Sequence, residues 1–295
     1  MGFSTAVSSP VLTETEYFSL LVDYAVKQNF SVALWRLPND SKIHLAISKE
    51  PVSLQYDATL EGLPAGFIVA PFEAASDRIF LKADLSFSFS NGKLNPPTSA
   101  LEITSNGWLN DFLTTNEVVR KQPRIHIHPT SLLSTTSLVS FLDIVRDGIA
   151  EIEKGTFEKV VLSRTLAVEL SKIFDVSDAF QKLCSLYSNA LISFVSIPKK
   201  GSWLGASPEL LVSVESGRVF KTTALAGTQP YTEGMNLKAV AWTQKDIEEQ
   251  ALVERYIISC FKKIRLREYE EHGPRTVVAG NLMHLKSDFT VDMLA

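Results

Sequence analysis

Three apolar segments of the chain each carry one group that could act on a small acid. Lys159 lies within the run 157–164, Glu209 lies between Pro208 and a Leu-Leu-Val run, and Gly227 lies in the small-residue turn Ala-Gly-Thr at 226–228. Apolar surroundings favour a neutral amine, so Lys159 could accept a proton as a general base. The same surroundings favour a protonated carboxyl group, so Glu209 could serve as a general acid. Backbone N–H groups at Gly227 could hold a carboxylate.

Each of these residues also has an ordinary structural explanation. Lys159 could be an edge-strand lysine whose ammonium group reaches water. Glu209 could be a solvated turn residue, and Gly227 could belong to an ordinary turn after a strand. Both interpretations stay open for each residue alone, and the order of the three groups along the chain favours the chemical one.

Two further residues could bind a metal ion or line the site. A predicted long helix at 237–267 carries Lys-Asp-Ile-Glu-Glu at 245–249, whose carboxylates could bind Mg²⁺ through oxygen. Glu249 is the best candidate, since the other two carboxylates of the run point elsewhere on the helix. The alternative is that the charged run is simply a solvated helix face. His284 lies alone in an apolar strand, where it could line a pocket or be an ordinary core histidine.

The elements that must position these groups are predicted from hydrophobic periodicity. Apolar residues at helical spacing predict helices, and β-branched or alternating runs predict short strands. Hairpins together with long helices predict an α+β fold with a mainly antiparallel sheet. The predicted helices span 137–154, 176–187 and 237–267, the predicted strands span 31–37, 43–47, 65–70, 79–81, 85–89, 158–170, 191–197 and 276–285, and a hairpin joins 202–215 to 218–223 around Ser216-Gly217.

The overall composition narrows the class of protein. The chain has 295 residues, 45% of them hydrophobic, with 29 basic and 33 acidic residues that are well mixed. This balance gives no support for a nucleic-acid partner. The isolated Cys184 and Cys260 indicate a reducing compartment, and residues 1–10 lack the features of a signal peptide. Because no apolar run is long enough to span a membrane, we expect a cytoplasmic protein without a membrane partner.

The order of the motifs resembles that of the chorismate-utilising enzymes, and within them the isochorismate synthases. The matching segments are 157–164, 205–211, 225–228, 245–249 and 282–285, and 66–72 also looks like the N-terminal half of the family. The resemblance covers most of the chain and is strongest from residue 137 onward. Five motifs in one order are far more specific than any one of them.

The resemblance implies a fold and a substrate. The fold would be the large, mainly antiparallel α+β sandwich of anthranilate synthase component I, flanked by helices. Residues 1–130 would form its N-terminal half and residues 137–295 its chorismate-binding half. The substrate would be chorismate, converted reversibly to isochorismate with Mg²⁺.

The resemblance also implies a role for each candidate residue. Lys159 would activate water for attack at ring carbon 2, and Glu209 would protonate the departing 4-hydroxyl group. Around them would lie the substrate-binding residues Ala226, Gly227, Thr228 and His284 and the Mg²⁺ ligand Glu249.

Two positions discriminate between branches of the family. Ammonia-using relatives tend to lack a lysine at the position of Lys159, because they need no base to activate water. Aminodeoxychorismate synthases often carry a lysine where this chain has Ala226. A salicylate synthase shares the lysine and the first step, then expels pyruvate, and it remains the alternative function.

The end of the chain gives a further expectation. Family members continue beyond the His284 strand, so the resemblance implies a sequence truncated at its C-terminus. An inactive chorismate-binding remnant is therefore a second alternative. The resemblance also implies a monomer, and it leaves the menaquinone and siderophore pathways equally open.

Overall fold

The computed structural model describes residues 13–73, 76–90, 93–95, 124–129, 135–171 and 173–294. Its helices are α1 (Glu14–Lys27), α2 (Leu138–Glu153), α3 (Val176–Leu186) and α4 (Gln244–Lys263), with a 3-10 turn at Leu237–Ala239. Its strands are β1 (Ser31–Arg36), β2 (Ile43–Ser48), β3 (Val52–Leu54), β4 (Gly66–Val69), β5 (Arg78–Lys82), β6 (Leu85–Ser90), β7 (Lys93–Asn95), β8 (Leu191–Ile197), β9 (Gly201–Ser207), β10 (Ser213–Glu215), β11 (Val219–Pro230), β12 (Glu270–Ala279) and β13 (Leu282–Asp292).

A six-stranded antiparallel sheet in the order β7-β6-β2-β1-β8-β9 forms the larger layer. One face packs against α1 and α3, where Phe18 and Phe180 are fully buried and meet edge to face with ring centroids 6.0 Å apart. This is a favourable geometry for an aromatic pair. The opposite face packs against a three-stranded sheet in the order β3-β5-β4, through buried Val195 and Leu81. The two sheets form a sandwich with helices on one side.

A second antiparallel sheet carries most of the candidate site. Its strand order is β10-β11-β13-β12, and the long strands β11 and β13 lie at its centre. Helix α4 packs across it, with Phe261 of the helix against Phe289 of β13 at a centroid distance of 6.0 Å. The burial of these rings fixes the helix on the sheet.

The end of α3 connects the two sheets. Arg36 of β1 is only 4% exposed, and its guanidinium donates hydrogen bonds to three backbone carbonyls of the segment 187–190 at 2.5 to 3.1 Å. In the same segment, the Asn189 side chain donates to the carbonyl of Val278 in β12. One polar segment therefore contacts β1 of the first sheet and β12 of the second.

The predicted fold class is confirmed. The chain is α+β, its sheets are antiparallel, and helices flank them. Helices at 138–153 and 176–186 and the strand at 191–197 follow the predicted boundaries to within one residue at each end. No helix in the described ranges is long and apolar enough to cross a membrane. The division into halves at 1–130 and 137–295 stays a prediction, and the six-stranded sheet takes strands from both sides of it.

Four of the predicted elements are wrong, the hairpin strand predicted at 202–215, which is interrupted between β9 and β10, and three others. The segment 158–170 is irregular, because its β-branched residues find no strand ladder among the described residues; the backbone at Thr165 and Ala167 is hydrogen-bonded to residues 135–136. The helix predicted from 237 starts at 244, where Thr243 and Asp246 form a capping box. The strand predicted at 276–285 is two strands, β12 and β13.

The Arg36 contact predicts a stability effect. Replacing Arg36→Met should lower the free energy of unfolding by about 1–3 kcal/mol, because several buried carbonyls lose their donor. Urea unfolding measures this change. The control is Arg218→Met, since Arg218 forms an exposed ion pair with Asp292 and its loss should lower stability less than Arg36→Met does. Equal effects of the two substitutions would contradict a structural role for Arg36.

Candidate functional site

Strand β11 carries one extra residue at Gly227 relative to β13. Ala226 pairs with Leu285 and Thr228 with His284, so Gly227 has no partner in the strand register. Its φ of +51° lies in the left-handed region, which glycine adopts without steric cost. The predicted turn is therefore a β-bulge within a long strand. Such a bulge bends the strand and changes the direction of neighbouring side chains.

The bulge brings Gly227, Thr228 and His284 together. His284 Nδ1 lies 3.2 Å from Thr228 Oγ1 and 3.2 Å from the carbonyl oxygen of Gly227. With a proton on Nδ1, the ring donates to the carbonyl; without one, it accepts from the threonine hydroxyl. His284 is half-buried and Thr228 is exposed, while Ala226 is buried next to them. The predicted substrate-binding residues thus form one polar cluster.

The N-terminal end of α4 packs directly on this bulge. A Cβ atom at Gly227 would lie 3.3 Å from both Asp246 Cβ and Trp242 Cζ3. Asp246 is fixed there because its carboxylate accepts from the Thr243 hydroxyl at 2.7 Å, and this hydrogen bond is the main cause that lowers the pKa of Asp246. Trp242 Nε1 donates to Thr276 Oγ1 at 3.0 Å. Close packing of α4 is therefore one reason for glycine at position 227.

An ion pair links Lys159 to α4. Lys159 Nζ lies 2.9 Å from Glu249 Oε1, and the two side chains are 30% and 26% exposed. Lys245 Nζ contacts the other oxygen of Glu249 at 3.0 Å. Burial acts to raise the pKa of Glu249, but the hydrogen bonds and charges of the two lysines outweigh it and lower the pKa below its ordinary 4.5. Glu249 is thus a carboxylate held between two ammonium groups.

The environment of Lys159 differs from the predicted one. The sequence pattern indicated a lysine enclosed in an apolar strand, but the segment is irregular and its neighbours Val160 and Val161 are 39% and 81% exposed. The ammonium group meets a carboxylate from a helix 90 residues away in the sequence rather than an apolar wall. Its partner Glu249 was itself a predicted site residue, so the structure joins the two.

Glu209 is exposed, which contradicts the prediction of an apolar pocket around it. It lies on a loop between β9 and β10, so the hairpin strand predicted at 202–215 is interrupted there. Thr222 and Thr223 of β11 fix this loop by donating to the carbonyls of Leu211 and Leu210 at 2.7 and 3.3 Å. No hydrogen bond or ion pair within the described residues joins Glu209 to the other predicted site residues. The structure therefore anchors the loop and leaves the carboxylate in solvent.

The described residues do not by themselves fit a Mg²⁺ site. No group of three or more His, Cys, Asp or Glu side chains among them could hold a metal ion. The one predicted ligand, Glu249, has its charge balanced by Lys159 and Lys245. A hard cation needs several oxygen ligands in place of those ammonium groups. Binding of Mg²⁺ stays a prediction from the family resemblance.

Sequence reasoning missed the residues that support the site. Trp242, Thr222 and Thr223 contact the bulge or the Glu209 loop. The threonine pair on a strand could have suggested hydroxyl groups available for a neighbouring loop, but nothing local identifies that loop.

A separate cavity of about 820 Å³ lies against the β8–β9 turn, lined in part by Phe72, Trp203 and Lys200. It contains none of the predicted site residues.

Comparison with known proteins assigns the family. The family model for chorismate binding enzymes matches residues 83–293, which include the bulge, the ion pair and the Glu209 loop. The chain belongs to the chorismate-binding enzyme family. The resemblance seen in the motifs is thereby confirmed. The matched region contains all five candidate residues, Lys159, Glu209, Gly227, Glu249 and His284.

Individual relatives agree with the family. A protein of Aeromonas hydrophila described as an isochorismate synthase is 30% identical over 127 residues, which are 42% of this chain and 32% of the relative. The match thus spans about a third of that relative's length. A Bacillus anthracis protein assigned as the 2,3-dihydroxybenzoate-specific isochorismate synthase DhbC has a similar fold. Its TM-score is 0.63, with 19% identity, and the match covers 93% of this chain and 71% of that one.

A second solved structure has the same fold. The menaquinone-specific isochorismate synthase MenF of Escherichia coli gives a TM-score of 0.59 and 14% identity over 97% of this chain and 68% of that one. At this level of identity the likeness concerns the fold, and it agrees with the α+β architecture described above.

The bulge predicts a stability effect at Gly227. Replacing Gly227→Ala should lower the free energy of unfolding by about 1–2 kcal/mol, because a Cβ atom disfavours left-handed backbone and crowds α4. The matched control is Gly205→Ala in β9, where an added Cβ meets nothing within 4 Å. Denaturant unfolding of both variants measures the difference. Equal, small effects would mean that the bulge tolerates a side chain.

The ion pair predicts a pH-dependent effect at Glu249. Because the folded-state pKa of Glu249 is lowered, its contribution to stability is complete above the ordinary value of 4.5 and is lost as pH falls through the lower folded value. Glu249→Gln should therefore destabilise the chain at pH 7, by no more than about 1 kcal/mol, and the difference should shrink at acidic pH. Urea unfolding across this range, with Glu248→Gln as control, measures it. A difference independent of pH would contradict the pairing.

Proposed function

We propose that this protein converts chorismate to isochorismate. The observation that carries the proposal is that α4 connects two predicted parts of the site: its first turn packs on the bulge at Gly227, and Glu249 in its second turn binds Lys159. The predicted base and the predicted carboxylate-binding strand therefore share one supporting helix. Membership of the chorismate-binding family and the names of the relatives support the same activity.

The site supplies both cations and hydrogen-bonding groups for an anionic substrate. Chorismate carries two carboxylates, and Lys159 and Lys245 are both paired with Glu249 near the start of α4, so a substrate carboxylate has to compete with Glu249 for them. The exposed Thr228 hydroxyl and the His284 imidazole provide further hydrogen-bonding groups on the adjacent strands. In our proposal the ring carboxylate binds along Gly227 and Thr228, and Lys159 faces the ring.

In the proposed reaction, water supplies a new hydroxyl group at ring carbon 2 and the 4-hydroxyl group leaves. Water attacks ring carbon 2 and transfers a proton to Lys159, while the 4-hydroxyl leaves as water after taking a proton from Glu209. Lys159 can accept this proton only after it has given up the one it holds against Glu249. Glu209 lies in solvent in the present structure, so this proton transfer requires its side chain to approach the substrate while the carbonyls of Leu210 and Leu211 stay bonded to β11.

Incubation of the purified chain with chorismate, with and without Mg²⁺, tests the activity. Chromatography with mass detection should show isochorismate, formed up to an equilibrium mixture. Salicylate and pyruvate would identify a salicylate synthase instead. A folded chain that binds chorismate without converting it would be an inactive chorismate-binding protein, and the proposal would be wrong.

The acid–base assignment predicts the effect of two substitutions. Lys159→Ala and Glu209→Ala should each reduce kcat by about 100-fold or more, because each removes one proton-transfer group. Far-ultraviolet circular dichroism should stay unchanged. The controls are Lys262→Ala at the end of α4 and Glu233→Ala in an exposed turn, which should retain activity. Near wild-type kcat in either site variant would remove that residue from the mechanism.

A further inference from the structure

The buried face of α4 is polar where the helix crosses the second sheet. Asp246, Gln250 and Glu254 lie four residues apart, so they form one stripe along the helix. Asp246 is 7% exposed and Gln250 is 1% exposed, whereas the inner face of a helix on a sheet is ordinarily apolar. Burial of polar groups is unfavourable unless they are hydrogen-bonded, so this stripe calls for a physical explanation.

The stripe is hydrogen-bonded to both central strands. Gln250 Nε2 contacts the carbonyl oxygen of Ala224 in β11 at 3.4 Å and Ser287 Oγ of β13 at 3.3 Å. Ala224 and Ser287 are direct cross-strand partners, so the amide spans the pair. Glu254 accepts from Gln250 Nε2 at 3.0 Å and from the Ser287 hydroxyl. The two Nε2 protons of Gln250 are shared among these three acceptors, and Gln250 Oε1 is buried without a hydrogen-bond partner among the described residues. The network therefore links α4 to both central strands without satisfying every polar group in it.

The neighbouring strand β12 leaves room for this network. At Gly273 a Cβ atom would lie 2.5 Å from Ser287 Oγ and 2.7 Å from the carbonyl oxygen of Lys286. The absence of a side chain there allows β12 to pass beside the serine without displacing its hydroxyl group. The register of β12 against β13 shifts at the same place, between His272 and Arg275.

Such a network restricts the position of the helix more strongly than apolar contacts do. An apolar helix face can slide over a sheet with small changes in buried area, but a displaced hydrogen-bond network leaves buried groups unpaired. Gln250 directly follows Glu249, and one turn earlier Asp246 contacts the Gly227 bulge. A shift of α4 would move both contacts together.

We infer that the Gln250–Glu254–Ser287 network is a positioning device that sets Glu249 against Lys159. The effect of this network on catalysis rests on the proposed function, whereas its effect on the Lys159–Glu249 ion pair does not. Among the described residues, no hydrogen bond joins Gln250 or Ser287 to the predicted reacting groups Lys159 and Glu209. Gln250 and Ser287 act on the site by fixing where α4 lies on β11 and β13.

A double-mutant cycle tests the inference without any assay of turnover. The coupling between Lys159 and Glu249 is measured by urea unfolding of Lys159→Met, Glu249→Gln and the double variant. The same cycle is then repeated in a Gln250→Met background, which keeps the side-chain length and removes the amide, and in a Ser287→Ala background. A Leu45→Ala background is the control, since this buried residue of β2 lies in the core of the other sheet.

The expected result is that the coupling disappears in the Gln250→Met and Ser287→Ala backgrounds and persists in Leu45→Ala. Persistence of the full coupling in both network variants would overturn the inference, because the pair would then form without the network. If one network variant does not fold, the other decides the question.

Kinetics then separate positioning from general destabilisation. With chorismate as substrate, Gln250→Met should lower kcat by about 10- to 100-fold, since small misplacements of catalytic groups have effects of this size. KM should change less than about threefold, and Leu45→Ala should keep the wild-type kcat at a temperature where it is folded. An unchanged kcat in Gln250→Met would show that the network stabilises the fold without positioning the catalytic groups. Absence of turnover in the wild-type chain would refute the proposed function but not the positioning role of the network, because the double-mutant cycle tests that role without an activity assay.

Discussion

The candidate site depends on one packing constraint, the contact between the first turn of α4 and the bulge at Gly227. Because Gly227 has no side chain, Asp246 and Trp242 pack 3.3 Å from the position that its Cβ atom would occupy. This approach brings Glu249 within reach of Lys159 and keeps Thr228 and His284 on the adjacent strand surface. A bulkier residue at 227 would separate the helix and sheet and disperse these groups.

The sequence could predict those elements that have a clear hydrophobic periodicity. Helices α2 and α3 and strand β8 show clear periodicity and end where predicted. The segment 158–170 shows the limit of this approach, because a β-branched run becomes a strand only where a partner strand pairs with it. Helix α1 is missing from the predicted elements although its capping box, formed by Thr13 and Glu16, is a sequence signal for the start of a helix. Local sequence pattern therefore predicts where a helix or strand can form, but it does not predict which strands pair.

The candidate residues could be identified from the sequence, but their surroundings could not. Motif order brought out Lys159 and Glu249 separately, yet their ion pair joins positions 90 residues apart and no local pattern encodes it. Glu209 illustrates the same point, because apolar neighbours in sequence did not bury it. Sequence neighbours describe a residue's strand or loop, whereas burial and charge come from the elements packed against it.

The most direct test of this account is the position of chorismate bound to the Lys159→Ala variant, determined by crystallography. The account predicts a substrate carboxylate within hydrogen-bonding distance of the backbone at Gly227 and Thr228, with the ring facing the vacated Lys159 position and α4 beside it. Binding elsewhere, for example in the cavity lined by Phe72 and Trp203, with the bulge empty, would contradict it.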